Sequence, residues 1–319
     1  MVDVITLGEL LIDFVSTESG VSLIEAPAFK KAAGGAPANV AVGLAKLGVP
    51  SGFIGKVGDD DFGRFLARTL SDNGVDTSAL RFSQQARTML AFVSLRAAGE
   101  RDFMFYRHPS ADMLLSPEEI DLDYIGAAKV LHYGSISLIS EPSRSATLAA
   151  VEGAVERGLL ISYDPNLRLN LWPSAEAARE GMLEAWEFAQ VAKVSLEELN
   201  FLSGQNELQA ATRALWHDRL RLLVITEGRY GCRYFTAEAQ GRVPGFEVET
   251  VDTTGAGDGF VAGLLAGLLE NERAWERVAD LEKVLRFANA VGALTTTERG
   301  AIPSLPTRDQ VSALMRERP

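Results

Sequence analysis

The sequence predicts a doubly wound α/β fold, a mainly parallel sheet with helices on both faces and a small β-sheet set apart from it. Three observations carry this reading. Short apolar runs alternate with helical stretches through most of the chain, which is the rhythm of βα units. Glycine-bearing turns follow several of those runs and lead into helices, as at Gly34-Gly35 and Gly255-Ala256-Gly257. One stretch, residues 88–106, breaks the rhythm with period-2 alternation and marks a hairpin outside the main body. The 319 residues can make one large α/β domain or two ordinary ones. There is no internal repeat and no low-complexity linker, so the expectation is a single domain over 1–319. The small sheet is drawn from about 10–34 and 87–108.

Composition narrows the function. An apolar fraction of 47% and a charged fraction of 23% are those of a soluble globular chain. A net charge of −12 argues against nucleic acid and anionic membrane surfaces as partners. The lone Cys232 excludes an internal disulfide, and with three histidines a Cys/His zinc site is not expected. No basic leader precedes the first apolar strand and no run of ~18 apolar residues follows, so the expected compartment is the cytoplasm.

Taken in order, Val4–Leu7 reads as a buried strand that exits at Gly8-Glu9, and Leu10–Val15 continues apolar except for Asp13. An acid in such a run is costly unless paired, which suits either a strand-end acid or a carboxylate for substrate hydroxyls. Ala33–Asn39 leads into a helix through Val40, Leu44 and Leu47 that closes at Gly48, with Pro37 in its first turn. Gly34 and Gly35 permit a ligand to approach the backbone, and Asn39 is either a ligand-binding amide or a helix-packing one. Phe53–Gly58 is a strand, Asp59-Asp60-Asp61 a helix start or cation site, and Phe62–Leu70 a helix ending near Asn73-Gly74.

The hairpin pairs 88–96 with 102–106 through Ala97-Ala98-Gly99-Glu100, and Arg107 at its exit is either a solvated strand end or a substrate contact. Then Val130–Tyr133 is a strand, Ser143–Arg157 a helix, and Leu159–Tyr163 a strand ending in Asp164-Pro165-Asn166-Leu167-Arg168. Polar residues at the carboxyl end of a parallel strand lie where such sheets bind ligands. Gly181–Gln190 is read as helix and Val191–Val194 as strand, and Ser195 with Glu198 fits a capping box. Leu222–Thr226 is a strand, Thr226-Glu227-Gly228 with Gly231 a glycine-bearing turn, and Cys232–Phe235 a further strand. Phe246–Val251 is expected to be a strand, Leu281–Thr296 a helix and Gly300-Ala301-Ile302-Pro303 a closing loop.

The chemistry concentrates in Val251–Phe260. A glycine-rich turn opens a helix carrying Phe260, Leu264 and Leu268, whose free first-turn amides suit an anion. Asp258 is the odd residue there, because a carboxylate repels phosphate. It is either a helix cap or the acceptor of a proton from an attacking hydroxyl. Gly259, Gly263 and Gly267 form a small-residue stripe suited to close helix packing.

Together, Gly34-Gly35-Ala36-Pro37-Ala38-Asn39-Val40 and Asp252-Thr253-Thr254-Gly255-Ala256-Gly257-Asp258 resemble the two signatures of the ribokinase-like, or PfkB, carbohydrate kinases. Within that family the chain looks most like the fructokinases of plant and bacterial type. That likeness runs nearly end to end, through Gly8-Glu9, Asp13-Phe14, Phe105-Tyr106-Arg107, Ser110-Ala111-Asp112, His132–Ser137, Asp164–Arg168 and Gly300–Pro303.

The resemblance implies an ATP-dependent transfer to the 6-hydroxyl of fructose, with Asp258 as the base and the amides of Gly255, Ala256 and Gly257 as an anion hole. It implies Asp13, Gly34, Gly35, Asn39, Arg107, Asn166 and Arg168 for the sugar. For the nucleotide it implies Lys193, Thr226, Gly228, Gly231 and Asn289. Asp252 and Thr254 match positions tied to a monovalent cation such as K⁺, and Glu198 the acid linked to Mg²⁺ through water, although Ser195 stands where the family has Asn. It also implies that the small sheet serves as a lid and joins two copies as a homodimer. Two rivals stay open at this point: a 2-keto-3-deoxygluconate kinase, in which an Arg meets a carboxylate, and an inactive sugar-sensing homologue.

Overall fold

The computed structural model describes residues 2–18, 20–95 and 101–318. Its strands, in chain order, are β1 (Val4–Leu7), β2 (Leu11–Ser16), β3 (Phe29–Gly34), β4 (Ser51–Gly58), β5 (Leu80–Ser83), β6 (Leu90–Leu95), β7 (Arg101–Tyr106), β8 (Val130–Tyr133), β9 (Leu160–Tyr163), β10 (Val191–Ser195), β11 (Leu222–Thr226), β12 (Cys232–Phe235) and β13 (Gln240–Val243). The helices are α1 (Ala36–Lys46), α2 (Asp61–Asp72), α3 (Leu122–Gly126), α4 (Ser143–Glu156), α5 (Ala175–Trp186), α6 (Leu196–Ser203), α7 (Leu208–Leu215), α8 (Ala256–Glu270), α9 (Val278–Thr295), α10 (Ala301–Ser304) and α11 (Arg308–Glu317).

The strands build a nine-stranded sheet in the order β13-β12-β11-β10-β9-β8-β1-β4-β5 and a four-stranded sheet in the order β3-β2-β6-β7. The large sheet is parallel from β11 to β5 and antiparallel only at β12 and β13. Its central strands read as unbroken apolar runs because both faces are covered. Alternate residues of one strand reach opposite cores. Val4 and Val130 pack with Val40, Leu44, Val261 and Val291 of α1, α8 and α9. Ile5 and Leu131 pack with Ala146, Ala150, Met182 and Trp186 of α4 and α5. The chain runs from β1 to β4 on one side and from β8 to β9 on the other, so β1 and β8 flank a switch point. Their carboxyl ends open the crevice where ligands bind in such sheets.

The glycine stripe of α8 is a packing device, as its spacing suggests. A Cβ on Gly263 would stand 2.9 Å from the Ala288 Cα of α9, and one on Gly267 would stand 2.8 Å from Val284. In the small sheet β2 pairs antiparallel with β3 and parallel with β6, and β6 pairs antiparallel with β7. The two hairpin runs therefore pair as expected. The expected turn Ala97–Glu100, with Arg96, lies outside the described residues.

Four local expectations are corrected. Phe246–Val251 is not a strand: the Val251 and Asp252 amides donate to the Thr296 carbonyl at the end of α9, and among the described residues no strand pairs with the segment. The antiparallel edge is instead β13, which alternates too weakly in sequence to be seen. The helix placed over Gly181–Gln190 is α5, which starts at Ala175 because Ser174 caps it through the Ala177 amide and which ends at Trp186. The closing loop at Gly300–Pro303 is the entry to the one-turn α10. Beyond it α11 was not anticipated, although Thr307 and Gln310 form a full capping box. Among the described residues no helix is long and apolar enough to cross a membrane.

Candidate active site

The exits of β1, β9 and β10 and the first turns of α1 and α8 meet at the carboxyl edge of the large sheet. Gly35 is the N-cap of α1 with φ 113, and a Cβ there would stand 2.3 Å from the Glu9 carbonyl oxygen, so only glycine lets these strands of backbone touch. The Asp13 carboxylate of β2 lies over Gly34: a Cβ on that glycine would meet Asp13 Oδ2. One turn into α1, Asn39 Nδ2 donates to Asp258 Oδ2 at 2.7 Å, while Asn39 Oδ1 is buried with no partner in the protein. Buried polar atoms are ordinarily paired, so this oxygen has accepting capacity to spare beside Asp258.

Asp258 is not the cap of α8. Gly255 holds that position in the left-handed region with φ 79, and Asp258 follows three residues later, buried, with only 8% of its surface exposed. Burial raises its pKa, and the Asn39 bond and the charges of Lys193 and Arg168 counter that only in part. Lys193 Nζ donates to Asp164 Oδ2 at 2.9 Å, and a Cβ on Gly257 would stand 3.1 Å from that ammonium nitrogen. Burial alone would lower the lysine's pKa, but the charges of Asp164, Glu198 and Asp258 outweigh it and hold the pKa above its usual value. Burial pushes Asp164 up to about 6 against the pull of Lys193, and its Oδ1 is buried without a partner. A fixed cation, a helix N-terminus and a proton acceptor thus share one small volume. Of the expected anion-hole amides, that of Ala256 also leans on the Thr253 carbonyl at 3.3 Å.

The other expected residues divide into two flanks. Among the residues expected at the sugar, Asn166 adopts φ 47, a left-handed conformation that asparagine tolerates better than most residues. Arg168 lies within electrostatic reach of Asp258. Glu198 satisfies the capping box with Ser195, and its second oxygen accepts from the Leu167 amide at 2.7 Å, so it also fixes the 164–168 loop. Burial works against its charge, but Lys193 and these amide bonds outweigh it and hold its carboxyl below the usual range.

Arg107 is not a solvated strand end. It is buried, donates from Nε to Asp112 Oδ2 at 2.8 Å and from a terminal nitrogen to the Ile136 carbonyl. On the opposite flank, Thr226 ends β11 beside Ser195, and Gly228 has φ 58 with open space where a Cβ would stand. Asn289 Nδ2 donates to the Val243 and Pro244 carbonyls, the segment that Gly231 also packs against. Both therefore brace the loop that leads toward α8.

Asp252 Oδ1 accepts from the Thr254 amide and hydroxyl, and its Oδ2 from the Gly300 amide. These bonds order the turn before Gly255. Among the described residues no group of three or more His, Cys, Asp or Glu side chains is arranged to hold a metal ion. Sequence reasoning left three site residues without a role. Asp164 and Asp112 sit inside quoted motifs, and Glu9 follows the first strand, where an exit carboxylate is a signal in its own right.

The pattern of the pfkB family carbohydrate kinases matches residues 1–308. The chain is 56% identical to the "probable fructokinase-4" of Arabidopsis thaliana, over 98% of this chain and 96% of that protein. It superposes on the ATP-bound fructokinase structure from Xylella fastidiosa with a TM-score of 0.91 and 35% identity, covering 98% of each chain. The fructokinase structure from Vibrio cholerae O395 with fructose, ADP and calcium ion bound gives a TM-score of 0.89 at 38% identity, over 98% of this chain and 99% of that one. A doubly wound sheet with a separate small sheet, a glycine-bearing anion cradle with a buried aspartate beside it, and these matches lead to one conclusion: the chain belongs to the pfkB family of carbohydrate kinases.

Proposed function

We propose that this chain is a fructokinase that transfers the γ-phosphoryl group of ATP to the 6-hydroxyl of D-fructose. The observation that carries the reading is Asp258, buried on the first turn of α8, bonded to Asn39 and close to Lys193. The relatives named for fructose phosphorylation direct the choice of sugar.

Phosphoryl transfer needs alignment and charge neutralisation more than covalent help from the protein. Asn39 Nδ2 fixes the Asp258 carboxylate, and the unpartnered Asn39 Oδ1 accepts a sugar hydroxyl proton bond. Asp13 and Asn166 hold further hydroxyls. Asp258 Oδ takes the proton of the attacking hydroxyl, and its raised pKa suits that task because a stronger base accepts more readily. The first-turn amides of α8 and the ammonium of Lys193 meet charge developing on the transferred group.

Thr226, Gly228 and the loop braced by Gly231 and Asn289 form the nucleotide flank. Mg²⁺, when bound, neutralises the ATP phosphates. Glu198, whose carboxyl is held below the usual range, would accept a hydrogen bond from a water on that ion. Asp252 and Thr254, which order the turn before Gly255, would help hold a K⁺ ion there. The small sheet, with Asp13 on its β2, acts as a lid over the sugar, within a single domain spanning 1–319. Met104 and Tyr106 expose apolar surface on the edge strand β7, which suits a homodimer through that sheet. The buried single thiol of Cys232 suits the cytoplasm.

A keto-acid substrate has less support, because Arg107 is already engaged by Asp112 and Ile136. The test is ADP release with ATP and Mg²⁺ across fructose, glucose, mannose, ribose, adenosine and 2-keto-3-deoxygluconate, with and without K⁺. Preference for fructose is expected. Preference for the keto acid would replace the substrate and keep the base. Fructose binding without turnover would make the chain a sensor.

A further inference from the structure

Helix α1 lacks a side-chain cap of its own. Its N-cap is Gly35, which must be glycine because of its φ of 113 and its contact with the Glu9 carbonyl, and Pro37 has no N–H. The exposed need in this turn is the Ala36 amide. It donates to Glu9 Oε1 at 2.8 Å, a carboxylate 27 positions earlier that arrives from the exit of β1. Glu9 is itself buried, at 3% exposure. The same turn closes with the Asn39 amide donating to the Gly35 carbonyl at 2.8 Å. Asn39 is therefore anchored directly above the amide that Glu9 holds.

The placement is an expensive one for a simple cap. Burial, with the charges of Asp112 and Asp258, outweighs the backbone amide bonds and pushes the Glu9 carboxyl up to about 7, while Asp112 is itself paired with Arg107. Because the N-cap must be glycine, no serine or threonine can cap this turn, and the acceptor has to come from another element. What the long side chain provides is a link between the central strand and the turn that carries Asn39.

We infer that Glu9 is a positioning residue for phosphoryl transfer: it ties the first turn of α1 to the exit of β1 and so keeps Asn39 aimed at Asp258 and at the sugar. This rests on the reading of Asn39 and Asp258 given above. The link needs an oxygen that accepts from Ala36, not a charge, so glutamine in its place retains the function and alanine does not.

The test compares Glu9→Ala, Glu9→Gln, Asn39→Ala and the Glu9→Ala/Asn39→Ala double variant by steady-state kinetics with fructose and ATP. Displacing a substrate-orienting group by about 1 Å costs on the order of 100-fold, so Glu9→Ala should lower kcat/KM for fructose on the order of 10- to 100-fold while KM for ATP stays within about twofold. Glu9→Gln should stay within about threefold of the parent, and adding Glu9→Ala to Asn39→Ala should cost less than about twofold, since the two act through one group. If Glu9→Ala yields no folded protein, Glu9→Asp, which draws the carboxylate back by one methylene, takes its place with the same expectations. Full multiplication of the two single effects, equal impairment of Gln and Ala, or equal loss for ATP and fructose would overturn the positioning role alone. Asn39→Ala and Asp258→Asn variants with normal fructose turnover would overturn the reading on which it stands, and Glu9 with it.

Discussion

The starts of α2 and α8 look alike in sequence, each with an aspartate shortly after a glycine, yet their carboxylates do opposite things. Asp60 is the N-cap of α2. It accepts from the Gly63 amide at 2.8 Å, from the Thr88 amide at 2.9 Å and from the Thr88 hydroxyl at 2.7 Å. Burial pushes its carboxyl up, but those bonds outweigh it and hold the pKa below the usual range. Asp258 stands three residues inside its helix, its carboxylate accepts from Asn39, and burial leaves its pKa raised. A carboxylate saturated with N–H donors is a structural anion. One that is buried, raised in pKa and set beside an unpartnered amide oxygen is prepared to take a proton.

Several substitutions break or sharpen this contrast. The largest effect is expected at Asp258: Asp258→Asn should reduce kcat by about 10²–10⁴, the span ascribed to a general base, as read by ADP release with fructose. Asn39→Ala should follow, with kcat/KM for fructose falling on the order of 10- to 100-fold through lost orientation and ATP affinity retained, checked by the same assay.

Glu9→Gln should change the pH dependence of stability. The folded pKa of Glu9, about 7, lies above the ordinary carboxylate value of 4.5. The folded state therefore holds a proton that the unfolded chain has released, and Glu9's contribution weakens as pH rises from the unfolded value through the folded one. The glutamine variant should match the parent near pH 4.5 and exceed it at pH 8 by on the order of 1–3 kcal/mol, measured by denaturant unfolding at both pH values.

The smallest effect belongs to Asp60→Ala, with a loss of about 1 kcal/mol from the missing cap and kcat nearly unchanged. Because the folded pKa of Asp60 is depressed, that stabilisation is present above the unfolded carboxylate pKa and is lost as pH falls through the folded one. A melting series toward acid pH on parent and variant checks it.

Much of this was legible in the residues. The runs at Val4–Leu7, Val130–Tyr133, Val191–Val194 and Leu222–Thr226 became central strands because strands covered on both faces need unbroken apolar character. The pairing of Asn39 with Asp258 was not legible, since 219 positions separate them and only the packing of α1 on α8 joins them. Nor was the burial of Arg107: its partner Asp112 lies five residues on, but a salt bridge cannot be told from a solvated arginine until the surrounding loop closes. Phe246–Val251 misled for a related reason. Its alternation reflects one buried phenylalanine, Phe246, with Arg286 over its ring, rather than a strand with a partner. The glycine turns were visible in the sequence, while the side chains brought beside them from other elements, Asn39 to Asp258 and Lys193 to Asp164, emerged only in three dimensions.

The claim that Asp258 is a base and not a cap is tested most directly by fructose calorimetry and a thermal melt on one preparation of Asp258→Asn that has lost turnover. The account predicts a fructose Kd within about threefold of the parent and a Tm no lower, since the variant removes a buried charge, keeps an oxygen that can accept from Asn39 Nδ2 and, among the described residues, deprives no backbone N–H of its acceptor. A Tm lowered by the few degrees that follow from losing about 1 kcal/mol at a cap would contradict it, since the lost turnover would then follow from a loosened helix start.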